Sequence, residues 1–277
     1  MSDFYSQCGS ASPLIVKIPF NHFSREGHFP GQPVVPAVLV IEVLAKACRD
    51  AGLKINKLEH FRIMQSLAFG DEIVLALTPR STQWYQIQAF VRQQLVCKVL
   101  LGVVGQDFVR RQQIICSENG TMSLSQSDLQ STACLYDMLP YAGTMCLVER
   151  MALMAGERCL VGTSLLRKDN PLADAGCLSG WATLEYAAQM LACFGLQQKL
   201  KSGDGAYVTN TASSFWLAKI RWLHCHQPAL ALAGQRLWLQ LDIEAQQPDA
   251  ITACFVSYCE GEILASGSFI VLERQGR

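Results

Sequence analysis

His28 lies in a Gly/Pro-rich turn, Gly27-His28-Phe29-Pro30-Gly31, directly ahead of an apolar helix. Pro30, Pro33 and Pro36 hold the intervening chain extended until the helix can start. Glu42 follows 14 positions after the histidine, about a turn inside that helix. An imidazole can be neutral and basic near neutrality, so this layout delivers a base to a helix N-terminus. A second carboxylate has the same setting. WATLEYAAQM around Glu185 answers VLVIEVLAKA around Glu42. Counting 14 back from Glu185 reaches Pro171, beside Asn170, so the second setting lacks a histidine. His224 and His226 share one face of a strand, a spacing metals use, but no third ligand is near in sequence and the pair reads as a strand end. No metal is expected.

The elements that position these groups repeat. Leu14 to Pro19 alternates weakly as an edge strand, and Pro36 to Ala51 reads as a helix with apolar positions recurring at three and four. β-rich runs follow over 56–63, 71–78, 85–91 and 95–104, separated by turn residues. The helix carries too few charges for a surface position and is expected on the concave face of an antiparallel sheet. Residues 106–133, Ser/Gln-rich after Ile115, read as a polar linker. Strands are then expected at 146–154 and 160–166, an irregular loop at 168–179, a helix at 180–198, and four further strands starting near 215, 237, 251 and 263. The domains implied are 9–105 and 134–274.

Composition narrows the class. A chain of 277 residues suits two domains of roughly 100 to 150 residues. Zero formal net charge provides no field toward nucleic acid or an anionic membrane. No run approaches 18 apolar residues free of charge, and the opening residues lack a secretion signal, so the chain is expected in the cytoplasm without membrane insertion. Its 12 cysteines form no Cys-x-x-Cys, which fits buried thiols in a reducing compartment.

The run GHFPGQPVVPAVLVIEVLAKA over residues 27–47 resembles the hot-dog-fold 3-hydroxyacyl-(acyl carrier protein) dehydratases of fatty-acid-synthesis type, and LAFGDEIVLAL fits the strand turn after their helix. The second half is similar to the dehydratase-like partner of aryl-polyene pathways through LPYAGTMCLVERM, DNPLADAGCLSGW and LEYAAQM. The resemblance implies an α+β double hot dog: two curled antiparallel sheets, each wrapped around a central helix and joined as a pseudo-dimer. In that family a histidine from one hot dog works with a carboxylate from the other.

Carried onto this chain, the catalytic pair is His28 with Glu185, framed by Gly27, Phe29, Pro30, Gly31 and Pro36, and Glu42 belongs to a second, degenerate position. Ala37 stands where these enzymes usually carry glycine. Backbone N–H groups at Ala37 and Val38 would face the thioester oxygen with the helix dipole behind them. The implied partner is an acyl carrier protein, with the acyl thioester on its phosphopantetheine and no further cofactor. Lys199, Lys201 and Arg221 are cations that could meet an acidic carrier, though solvated charge is their default reading. Further self-association stays open. A hot-dog acyl-thioester hydrolase and a non-catalytic partner of lipid or pigment synthases are the competing readings, and the histidine loop argues against the hydrolase.

Overall fold

The computed structural model describes residues 14–103, 129–154, 158–201, 214–231, 234–247 and 249–274. The first half contributes β1 (Leu14–Lys17), α1 (Ala37–Asp50), β2 (Ile55–Ile63), β3 (Glu72–Pro79), β4 (Trp84–Val91) and β5 (Gln94–Val103). The second contributes β6 (Gln130–Ser131), the single turn α2 (Ala133–Tyr136), β7 (Arg150–Leu153), β8 (Cys159–Leu165), a short hairpin of β9 (Ala173–Asp174) and β10 (Cys177–Leu178), and α3 (Thr183–Lys201). It ends with β11 (Ser214–Cys225), β12 (Leu230–Ala231), β13 (Arg236–Gln247), β14 (Ala250–Cys259) and β15 (Glu262–Arg274). Of the expected linker, residues 106–128 lie outside the described residues, while Gln130–Ser131 form β6 and Ala133 opens α2.

Twelve strands form one antiparallel sheet in the order β1-β3-β4-β5-β2-β11-β15-β14-β13-β8-β7-β6. The two halves meet where β2 pairs with β11. There Phe61 opposes Ile220 and Leu58 opposes Leu223, all four fully buried. Arg62 opposes Lys219 in the alternate position. Because side chains alternate across a strand, a slip of one residue would bring those cations into the core, so the apolar pairs fix the register of the seam.

One helix from each half lies against this sheet, and α1 packs beside α3 and the 3-10 turn (Gly180–Ala182) that precedes it. α1 buries a stripe containing Val38, Ile41, Leu44, Ala45 and Cys48 and leaves Lys46, Arg49 and Asp50 exposed. α3 has no polar face over most of its length: every residue from Thr183 to Leu196 is buried. Such a helix is held by tertiary packing on all sides rather than by amphipathicity. Gly162 in β8 shows how closely it fits, because the Met190 side chain of α3 fills the space a Cβ would need.

Two expected elements differ. The strand expected at 146–154 is confined to Arg150–Leu153, because the N–H groups of Leu147 and Val148 donate to the side chains of Gln189 and Tyr136 instead of to a neighbouring strand. The loop expected at 168–179 contains the β9–β10 hairpin, whose turn places Ala175 and Gly176 at φ 48° and 76°. No helix among the described residues is long and apolar enough to cross a membrane.

Candidate active site

The histidine loop is held by the turn just before it and by the opposite half of the chain. The His28 N–H donates to Ser24 O at 2.9 Å, the Phe29 N–H to Pro140 O at 2.9 Å, and the Ala142 N–H to Gly27 O at 2.8 Å. His28 and Tyr141 form an isolated antiparallel bridge. The approach is close enough to require glycine at position 27, where a Cβ would collide with Ala142 O and the Met145 side chain. Phe29 follows in the left-handed region at φ 55° and Gly31 at φ 91°, so the loop reverses direction and turns the imidazole inward.

His28 Nδ1 lies 2.6 Å from Val34 O. A carbonyl can only accept, so Nδ1 carries the hydrogen, and it is Nε2 that holds the lone pair in the neutral imidazole. That Nε2 lies 3.8 Å from Glu185 Oε1, and both residues are buried, at 7% and 3% exposure. The gap is too long for a direct hydrogen bond. The base and the carboxyl therefore flank a common point without neutralising each other's hydrogen-bonding capacity.

Glu185 is oriented by a network that sequence reading missed. Gln189, one turn along α3 and fully buried, donates from Nε2 to Glu185 Oε1 at 3.3 Å and to Met145 O at 3.0 Å. Its Oε1 accepts from Tyr136 Oη at 2.9 Å and from the Leu147 N–H at 3.1 Å. Tyr136 in turn accepts from the Val148 N–H at 2.9 Å. All polar atoms of the Gln189 amide are engaged, so the amide is fixed and the carboxyl rotamer with it. Tyr141 closes the site, its ring centroid 5.7 Å from that of His28. Burial first, and the charge of Glu185 second, hold its phenol well above its ordinary pKa.

α1 starts at Ala37 after Pro36, which has no side-chain cap to offer. Pro36 O accepts from the Leu39 and Val40 N–H groups. The N–H groups of Ala37 and Val38 have no acceptor among the described residues, which leaves two donors at the positive end of the helix.

The pseudo-equivalent position is built differently. Glu42 has an Oε1 that is buried and without a partner among the described residues. Its carboxyl is pushed up to about 8, chiefly by burial and then by the charge of Asp174, against opposing effects of Arg49 and a hydrogen bond from Ser179. Asp174, in the hairpin ahead of α3, is exposed and acts on Glu42 through its charge alone, whereas His28 is buried against Glu185. Asn170 is occupied elsewhere: its Nδ2 donates to Tyr186 Oη at 2.5 Å and its Oδ1 accepts from the Leu172 N–H at 2.9 Å. Ser179 caps the turn ahead of α3, accepting from the Trp181 N–H at 3.2 Å.

Other sequence candidates fall away from this chemistry. His224 and His226 have ring centroids 4.3 Å apart, and His224 Nε2 meets Asn56 Nδ2 at 3.3 Å across the seam. Arg221 is paired with Glu244 at 2.7 Å.

A continuous sheet built from two halves, each laid against a helix, defines a double hot dog, and His28 from one half meets Glu185 from the other within it. The dehydratase domain of RzxB from Pseudomonas fluorescens shares this fold, with a TM-score of 0.65 and 12% identity over 93% of this chain and 92% of that one. So does the dehydratase domain of PpsC from Mycobacterium tuberculosis, with a TM-score of 0.63 and 13% identity over 95% and 92%. Among curated proteins, the 3-hydroxyacyl-acyl-carrier-protein dehydratase FabZ of Clostridioides difficile (strain 630) is 26% identical over 106 residues, covering 33% of this chain and 75% of the relative. The family model of the ApeP dehydratase matches residues 134–275, and that of the ApeI dehydratase matches 8–98. The chain belongs to the ApeP dehydratase family and joins to it an ApeI-like dehydratase half; it is a dehydratase.

Proposed function

We propose that the chain converts a 3-hydroxyacyl thioester, carried on the phosphopantetheine of an acyl carrier protein in fatty-acid or aryl-polyene-type synthesis, to the trans-2-enoyl thioester. His28 Nε2 takes the α-proton. The electron pair moves toward the thioester carbonyl, whose oxygen is met by the N–H groups of Ala37 and Val38. The C3–O bond then breaks, and the hydroxyl leaves as water with the proton of the Glu185 carboxyl. Transfer of the captured proton from His28 to Glu185 restores the starting state. Both proton steps use side chains of the chain itself. The units 9–105 and 134–274 would act together as one pseudo-dimer in the cytoplasm, each supplying half of the site.

The observation that carries this reading is the His28–Glu185 pair: buried, 3.8 Å apart and drawn from opposite halves. The test is turnover of a 3-hydroxyacyl thioester, followed by enoyl absorbance and by free-thiol release. Enoyl product that disappears in His28→Ala supports the reading. Free thiol without enoyl product would make the chain a hydrolase, and neither product would make it a non-catalytic partner.

A further inference from the structure

His224 belongs to a polar cluster that the acid–base site does not use. It stands directly opposite Lys57, where the ladder joining β11 to β2 ends. Its Nε2 lies 3.3 Å from Asn56 Nδ2 across the seam. An amide nitrogen can only donate, so His224 is neutral there, with its hydrogen on Nδ1. His226, just past β11, has its ring centroid 4.3 Å from that of His224, and its Nε2 lies 3.1 Å from Ser266 Oγ of β15. Among the described residues, the charged groups facing the pair are Lys57 and Glu59 of β2, bonded to each other at 2.8 Å. Lys57 also lies over the Trp84 ring of β4, and β15 presents the neutral Ser266 opposite His224. Burial first, then His226 and Lys57, lower the pKa of His224 to about 4, and burial lowers that of His226.

We propose that the His224–His226 pair makes the seam between the two halves acid-labile. Charging both rings sets three cations, Lys57 included, beside one another at one end of the β2–β11 ladder. It also puts a hydrogen on the nitrogen that accepts from Asn56. Like charges directly opposite on a sheet repel, and Glu59 is the single carboxylate at hand to answer all three. The ladder therefore loosens from its Lys57–His224 end. The sign follows from His224, whose folded value lies below the ordinary 6.5. Its contribution to a closed seam is whole above about pH 6.5 and is lost as pH falls toward about 4. His28 and Glu185 come from opposite halves, so a loosened seam parts them. That last consequence rests on the dehydration proposed above; the lability of the seam does not.

The experiment is hydrogen–deuterium exchange of the full chain at about pH 7 and about pH 4.5, corrected for intrinsic exchange. The full displacement of His224 would change the opening equilibrium about 300-fold, and water reaching both rings reduces this to roughly tenfold. Protection of the seam amides between Lys57 and Phe61 and between Lys219 and His224 is therefore expected to fall about tenfold further in acid than that of the β13–β14 amides. The double variant His224→Gln, His226→Gln should bring the two regions within about twofold of each other. His226→Gln alone, at an exposed position, should give a response between the two and serves if the double variant fails to fold. A selective loss that persists undiminished in these variants would assign it to the Lys57–Glu59 pair and overturn the proposal. A wild-type seam that responds like β13–β14 would overturn it as well. Absence of enoyl product at pH 7 would overturn the proposed dehydration and leave the exchange result standing.

Discussion

The two pseudo-equivalent positions share one frame and have opposite chemistry. In one, an imidazole with a free Nε2 faces a carboxyl fixed by Gln189, and the adjoining helix starts behind Pro36 with two N–H groups left open. In the other, no histidine stands in the matching loop, the charge of an exposed Asp174 acts on Glu42, and Ser179 both bonds Glu42 and accepts from the Trp181 N–H. Elimination needs a base, an acid and a donor for the developing oxyanion. In the proposed reaction the first position supplies all three, whereas the second has no imidazole and has the Trp181 N–H taken by Ser179. Fusing two hot dogs into one chain therefore relaxes what a symmetric dimer enforces: each half can specialise, and one site can lose its function while its fold is kept.

The largest effect that would break this comparison comes from the two glutamates. Glu185→Gln keeps the shape and removes the transferable proton, so dehydration should fall by about 10² or more, and His28→Ala should do the same. Glu42→Gln should change the rate less than about threefold. Steady-state kinetics showing Glu42→Gln inactive and Glu185→Gln active would move the site into the first half. His28→Ala also leaves Val34 O without its partner, so its denaturant midpoint should report a loss of about 1 to 2 kcal/mol in a protein that still folds.

Gly27→Ala tests whether cross-half docking sets the histidine. The new methyl would collide with Ala142 O, a backbone atom that cannot swing aside. A rate loss of about tenfold or more and a destabilisation of about 2 kcal/mol are expected. Wild-type kinetics in this variant would show that the loop does not depend on the 140–142 segment.

A smaller loss tests the network that separates Glu185 from Glu42. Gln189→Leu strands Tyr136 Oη, the Leu147 N–H and Met145 O in a buried region, a cost of roughly 2 to 4 kcal/mol. With the carboxyl freed to rotate, kcat should fall about fivefold to tenfold while KM changes little. Gln189→Glu, which keeps size but places a second carboxyl beside Glu185, should shift the pH–rate profile as well. A profile that stays put would reduce Gln189 to packing.

Much of this asymmetry was legible in the chain. The Gly/Pro frame around His28, the paired apolar segments around Glu42 and Glu185, and the missing second histidine all lie in local text. The charge of Asp174 on Glu42 was not legible, because it depends on the β9–β10 hairpin, where the sequence reads only as irregular loop. The Gln189 network was also hidden. Its one local trace was the i, i+4 spacing from Glu185 on the same helix face, and its partners Tyr136, Met145 and Leu147 are remote in sequence. The over-long strand at 146–154 fails for a related reason: an extended apolar segment looks like a strand until side chains claim its N–H groups.

The smallest effect concerns stability rather than rate, and it reads the second position directly. A carboxyl pushed from an ordinary 4.5 to about 8 means that the folded chain binds a proton there more tightly than the unfolded chain does. Stability is therefore fully present below about pH 4.5, declines as pH rises through the interval to about 8, and is level above it. The full displacement corresponds to about 5 kcal/mol at most, and water reaching the half-buried residue reduces what is observable to roughly 2 kcal/mol. Glu42→Gln cannot ionise and should be the more stable protein at pH 8.5 by about that amount, with the gap closing toward pH 5. Urea midpoints of both proteins at the two pH values measure it. A gap that is constant with pH, or that widens toward acid, would show that the buried Oε1 of Glu42 is already compensated, and the second position would then be a balanced structural pair rather than a lapsed site.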